Sequence, residues 1–210
     1  MTQTTPHTRA PLRLEWGVAE KMMHGERISG DQYLVRDIPD GQLIAVVDGI
    51  GHGPEAAAAA QIALDTLNRH KNDSLIAMVR RCHERLQDTR GVVMSLAVFN
   101  ARESTLAWMG VGNVEGVLRR AYPAREMDKE SLLLRGGVVG YLLPPLLETV
   151  FPVHPGDTLA FATDGIEFTF TEKLASPESP KALAARIFAA HQKDTDDALI
   201  LVARFRGAES

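Results

Sequence analysis

Apolar and polar residues alternate from Leu12 to Glu20, which predicts a half-buried strand. Tyr33–Arg36 and Leu43–Val47 predict two more, joined through the turn residues Pro39, Asp40 and Gly41. Pro54 stands at the first position of a helix running to about His70, with Glu55 in its first turn complementing the helix dipole. Asn72-Asp73-Ser74 caps a second helix to about Gln87. From Val92 the pattern turns to strands: Val92–Phe99, Thr105–Val111 and Val114–Arg119, with Gly112-Asn113 read as a hairpin turn between the last two. Leu132–Leu134 and Glu148–Val153 are short strands around a Gly/Pro-rich link. Thr158–Thr163 is a strand, Pro180–Gln192 a helix and Ala198–Phe205 the final strand. Tyr122–Ser131 and Thr171–Pro180, mixed in charge, read as surface loops.

This order lacks regular β-α-β alternation, so it predicts an α+β fold with antiparallel sheets rather than a doubly wound parallel one. With 210 residues, 45% of them hydrophobic, the chain suits one domain over residues 11–206 behind a flexible polar tail at 1–10. A net charge of -4 gives no electrostatic reason to expect nucleic acid or an anionic membrane surface. Residues Met1 to His7 lack the apolar core of a signal peptide, and no stretch approaches the roughly 20 apolar residues of a membrane span. The single Cys82 excludes an internal disulfide framework and suits a reducing compartment. A soluble, cytoplasmic protein is expected.

The chemistry concentrates at Ile44 to Glu55, where an apolar run ends on Asp48, turns through Gly49, Gly51 and Gly53, and opens into an alanine-rich helix. A glycine-rich strand-to-helix turn can cradle a phosphate or let backbone carbonyls approach a metal. Two later strand ends also carry aspartate: Asp164 before Gly165, and Asp196-Asp197 before Ala198. Three separated acidic strand ends imply a cluster of hard oxygen ligands, suited to Mg²⁺ or Mn²⁺ with water completing the shell. Two such ions about 3.5–4 Å apart lower the pKa of a shared water and clamp phosphoryl oxygens during in-line attack. The glycines also lack the G-x-G-x-x-G spacing of a dinucleotide site.

Taken in order, these pieces resemble the metal-dependent PPM (PP2C-like) serine/threonine phosphatases of the SpoIIE/RsbU/RsbX branch. Ser29-Gly30-Asp31 is similar to the first acidic motif and Val47 to Gly53 to the metal-binding glycine turn. Arg90-Gly91, Gly110 to Asn113, Gly137 to Tyr141, Thr163-Asp164-Gly165 and Asp196-Asp197 follow. The resemblance implies an α-β-β-α sandwich with a two-metal site (Mn²⁺ or Mg²⁺) at one edge between the sheets. By the same resemblance, Asp48 would bridge both metals and the Gly49 carbonyl would bind one. Asp164 and Asp196 would hold the other, with Asp31 completing the site directly or through water. The sequence departs from the pattern at Leu199, where Ser or Thr is common, and at Val92 to Met94, where small residues are.

Around that set, Asp197 reads as a charged strand start, Arg27 either as a phosphate contact or a solvated surface residue, and His52 either as a proton donor or as packing where the helix begins. The alanine run reads as close helix packing. The domain most resembles the RsbX type, which implies phosphorylated STAS-domain proteins of a bacterial stress-signalling complex as partners. The loops 122–131 and 171–180 are candidates for recognising them. A catalytically inactive module of the same fold and a nucleotide-binding protein stand as alternatives.

Overall fold

The computed structural model describes residues 13–122 and 128–206. Its strands are β1 (Arg13–Lys21), β2 (Asp31–Ile38), β3 (Gly41–Gly49), β4 (Val92–Asn100), β5 (Thr105–Val111), β6 (Glu115–Arg119), β7 (Lys129–Ser131), β8 (Thr149–Pro152), β9 (Thr158–Ala162) and β10 (Ala198–Arg206). Helices α1 (Gly53–Arg69) and α2 (Leu75–Arg85) follow β3, a 3₁₀ turn spans Phe168–Lys173, and α3 (Pro180–His191) precedes β10. Two five-stranded sheets result, ordered β1-β10-β9-β6-β7 and β2-β3-β4-β5-β8, and every pairing of strands is antiparallel. This is the α+β sandwich expected, with no doubly wound half for a dinucleotide.

The layers follow from strand periodicity. In β3 the buried run Leu43 to Val47 splits by parity: Leu43, Ala45 and Val47 pack under α1 and α2, while Ile44 and Val46 face the other sheet. A strand covered on both faces reads as a continuous apolar run, which is why Leu43–Val47 shows little alternation. The inter-sheet layer also holds Leu159 and Phe161 of β9, Leu199 to Phe205 at odd positions of β10, and the Phe99–Phe205 ring pair at 4.7 Å. The outer face of the first sheet is covered by α3 and the 3₁₀ turn through Leu183, Ile187, Phe170 and Leu174. The alanine run serves close packing: Ala56, Ala57, Ala59 and Ala60 are buried.

Three sequence expectations need correction. Gly112-Asn113 does not close a hairpin, because β5 and β6 lie in different sheets. The chain crosses between sheets there with Gly112 at φ +96°, and the Gly112 amide donates to the Arg135 carbonyl at 2.9 Å. The strand placed at Leu132–Leu134 is instead Lys129–Ser131; Leu132 is buried between the sheets and Leu133 is exposed. The segment from Thr171 is not a free surface loop: Thr171 and Leu174 are buried, and Arg204 donates to the carbonyls of Ser176 (2.9 Å) and Glu178 (2.5 Å). The expected tail at 1–10 and the Arg125 and Glu126 part of the first loop lie outside the described residues.

Candidate metal centre

Strand parity carries the acidic residues to one place. Asp48 continues the inter-sheet set Ile44–Val46 of β3, and Asp31 lies directly across from it in the β2–β3 register. Thr163 follows Leu159 and Phe161 of β9, and Asp197 precedes Leu199 of β10, both on the inter-sheet parity. At this end of the sandwich a cavity of about 220 Å³ is lined by Asp48, Asp164, Asp196, His52 and Asn113. Asp31 is buried behind it, with the Thr163 hydroxyl donating to its carboxylate at 2.7 Å.

The Asp-Gly pairs exist because backbones meet there. A Cβ on Gly49 would fall 2.1 Å from the Ala56 carbonyl oxygen of α1, and one on Gly165 would fall 2.0 Å from the Asp197 carbonyl oxygen. Any side chain at either position would push a carboxylate-bearing strand end away from the element packed against it. The turn between Gly49 and α1 is pinned by the Ile50 amide donating to the Gly91 carbonyl at 3.1 Å, and Gly51 and Gly53 both take positive φ.

Electrostatically the site is one of uncompensated anions. Among the described residues no Lys or Arg forms an ion pair with Asp31, Asp48, Asp164 or Asp196. Burial, reinforced by Asp31, Asp164, Asp196 and Asp197, pushes the Asp48 carboxyl up to about 9. Burial pushes Asp31 up to about 7; the Thr163 hydrogen bond works against this, and the neighbouring aspartates add to it. Asp196 is raised as well, first by burial, while the Asp197 amide that it accepts at 2.8 Å opposes the shift. A cation joining such groups would favour their ionised form.

The donor set fits a hard divalent cation, since it consists of carboxylates short of positive charge. Among the described residues, however, no three His, Cys, Asp or Glu side chains stand close enough to hold an ion by themselves. The cluster is therefore an open edge rather than a closed cage, and an ion there would need water and backbone carbonyls to complete its shell.

The sequence-predicted residues Asp48, Gly49, Asp164, Asp196 and Asp31 thus converge on one edge. Asp197 does not behave as a charged strand start: it is buried, and its carboxylate accepts the amides of Met23 and Gly30, both at 2.7 Å, tying the β1–β2 loop to β10. His52 is exposed where α1 begins, with Nδ1 2.6 Å from Glu26, so it is not helix packing. Arg27 is exposed. The sequence reading assigned no role here to Thr163, to Glu26, or to Asn113, whose amide donates to Asp164 at 2.9 Å. Thr163 had a signal, being a hydroxyl on the inter-sheet parity beside an aspartate. The described parts of the two candidate recognition loops lie elsewhere. Arg119, which leads into 120–131, pairs with Thr158 at the end of β9 remote from Asp164, and Arg204, which holds 176–178, pairs with Thr158 too.

The family model of stage II sporulation protein E (SpoIIE) matches residues 39–206. A solved structure described as "The bacterial stressosome: a modular system that has been adapted to control secondary messenger signaling" is 30% identical, with a TM-score of 0.84 over 91% of this chain and 100% of that one. RsbX in complex with magnesium is 18% identical, with a TM-score of 0.82 over 91% and 95%. The catalytic domain of the serine threonine protein phosphatase PstP, in complex with two manganese ions, is 18% identical, with a TM-score of 0.67 over 93% and 98%. No curated protein sequence gives a match.

Proposed function

Because the chain belongs to the SpoIIE family of PP2C-like serine/threonine phosphatases, we propose that it removes phosphate from phosphoserine or phosphothreonine of STAS-domain proteins in a bacterial stress-signalling complex, at a two-metal Mn²⁺ or Mg²⁺ centre. The observation that carries the reading is the convergence of Asp31, Asp48, Asp164 and Asp196 at one sheet edge with no cation paired to them. Asp48 would bridge the metals, the Gly49 carbonyl would hold one, and Asp164 and Asp196 the other, with Asp31 acting directly or through water. When bound, the pair supplies a water nucleophile at neutral pH and charge stabilisation for the phosphoryl group.

The chain's own groups do the positioning. Thr163 orients the Asp31 carboxylate, and Asn113 fixes one oxygen of Asp164, leaving its other oxygen without a hydrogen bond from the described residues. Gly49 lets its strand end pack against α1 at Ala56, and Gly165 lets its own pack against Asp197, the residue after Asp196. The stress-signalling assignment is supported by the similarity to the stressosome structure and to RsbX. Two manganese ions in PstP and magnesium in RsbX support a divalent metal, with identity left to assay. No helix among the described residues is long and apolar enough to cross a membrane.

The test is hydrolysis of 4-nitrophenyl phosphate and of a phosphorylated STAS protein, with Mn²⁺, with Mg²⁺ and with chelator. Metal-dependent turnover of both is expected. Turnover of neither sinks the phosphatase reading, and turnover of the aryl phosphate alone removes the STAS assignment.

A further inference from the structure

A second cavity, of about 690 Å³, opens beside the acidic edge and shares Asp31 with it. Its walls are the end of β1, the start of β2, the connecting loop 22–29 and one side of α1. Here the protein exposes apolar surface: Met22 is 47% exposed and Ile28 45%, with Tyr33 and Leu64 lining the same hollow. Arg27 stands among them and forms no ion pair with any described residue.

The backbone beside the hollow is also free. β2 is an edge strand of its sheet. Its far half is blunted, with the Arg36 guanidinium donating to the Val35 carbonyl (3.1 Å) and the Lys71 ammonium to the Asp37 carbonyl (2.9 Å). Such cations on an edge discourage strand addition. Among the described residues, the main chain of residues 32–34 makes no hydrogen bond outside the ladder with β3. The protected part of the edge therefore stops where the hollow begins.

We propose that this hollow is the docking groove for the substrate protein, and that its occupant is an extended segment carrying the phosphorylated residue between apolar neighbours. The segment lies along the free part of β2, its apolar side chains cover Met22, Ile28 and Leu64, and its phosphate reaches the acidic edge past Asp31. Arg27 offsets the repulsion that the aspartate cluster would exert on an anionic segment. Main-chain pairing with an edge gives affinity while alternate side-chain pockets give selectivity. The inference deepens the phosphatase reading and rests on it. It moves recognition from the loops 122–131 and 171–180 to the groove continuous with the site.

The experiment compares 4-nitrophenyl phosphate with two short phosphoserine peptides of equal charge. One peptide has Leu and Val flanking the phosphoserine, the other Ser and Asn. With Mn²⁺ the wild type is expected to prefer the apolar-flanked peptide about tenfold in kcat/KM, the value of burying one such side chain. Ile28→Asp and Met22→Asp each abolish that preference by raising KM, leave 4-nitrophenyl phosphate turnover unchanged, and keep the wild-type melting temperature because both side chains are exposed. Arg27→Glu raises KM for both peptides. No flank preference in the wild type, a preference that survives both variants, or a parallel loss on the aryl phosphate overturns the docking groove while leaving the phosphatase standing. No hydrolysis of any of the three by the wild type overturns the phosphatase reading itself.

Discussion

The two ends of the sandwich both gather buried or half-buried carboxylates, and they treat them in opposite ways. At the end remote from Asp164, Asp157 is almost fully buried and Arg120 lies over it at 3.0 Å while also pairing with Glu130. Asp157 further accepts the amides of Ala121 (2.9 Å) and His154 (3.1 Å), and Arg120 donates to the Pro152 carbonyl at 2.6 Å. Arg120, Asp157 and Glu130 are all partnered there, and the network fastens β6, β8 and β9 together. At the other end, Asp31 faces Asp48 across a strand pair with Asp164, Asp196 and Asp197 nearby. Among the described residues no Lys or Arg forms an ion pair with these carboxylates, the Lys193 ammonium reaching only the Asp164 main-chain carbonyl. Burial of unpaired carboxylates opposes folding, which marks this end as the candidate ligand site.

The sharpest way to break this comparison is at Asp48. Asp48→Asn is expected to lower metal-dependent kcat by roughly three orders of magnitude, the scale of several kcal/mol of lost charge stabilisation. The same change removes a buried carboxyl whose ionisation burial and the facing Asp31 oppose, so the metal-free protein should gain about 1 kcal/mol or less. Opposite signs in activity and in metal-free melting temperature are the signature. Wild-type turnover at saturating Mn²⁺, or a clear loss of metal-free stability, would place Asp48 with the structural carboxylates instead. Asp164→Asn and Asp196→Asn should follow it in activity.

At the remote end the signs reverse. Arg120→Ala leaves the buried Asp157 and the partly exposed Glu130 without their cation. Removing one partner of a buried pair costs about 3–5 kcal/mol, or a fall of roughly 10 °C in melting temperature for a chain of this size. Turnover per folded molecule should stay at the wild-type level. A stability change within error would mean the remote network is surface decoration, and the contrast between the two ends would collapse.

Asp197 tests the boundary, since it sits in the acidic cluster but is spent on the backbone. Asp197→Asn keeps one acceptor oxygen and turns an NH₂ group toward either the Met23 or the Gly30 amide, leaving a buried donor unmatched. A loss of about 1–3 kcal/mol is expected in urea denaturation, with a smaller activity loss than for Asp196→Asn. If Asp197→Asn abolished activity without affecting stability, it would belong to the metal set.

The difference between Asp196 and Asp197 also shows where sequence reading ends. Of the acidic edge, Asp48 and Asp164 were legible because each closes an apolar strand before a glycine, and Asp196 because it stands just before a strand start. Asp31, which opens β2, was legible only through the family resemblance. Asp197 was not, because its partners Met23 and Gly30 lie more than 160 residues away in sequence and only the β1–β10 pairing brings them close. The strands themselves were legible from apolar patterning, apart from Lys129–Ser131, which has no apolar residue to announce it. Sheet membership was not: Gly112-Asn113 carries hairpin residues, yet the packing of two sheets decides that the chain crosses instead. Gly49 and Gly165 looked like turn glycines, while their reason is a backbone contact with Ala56 and Asp197 that no local pattern encodes.

The smallest expected effect concerns the one thiol. Cys82 is buried on α2, its Sγ 3.8 Å from the Ala63 carbonyl of α1, and burial pushes its thiol up to about 12. The thiolate is the reactive form, so the folded protein should hardly react with iodoacetamide near neutral pH and should react at the rate of a free thiol once unfolded in urea. Cys82→Ala should leave metal-dependent turnover unchanged, since α2 packs on the outer face of the second sheet, away from the acidic edge. Rapid labelling of the native protein would mean that the α1–α2 layer opens readily. That would transfer to this outer layer the local instability that the comparison of the two ends assigns to the metal-free aspartate cluster.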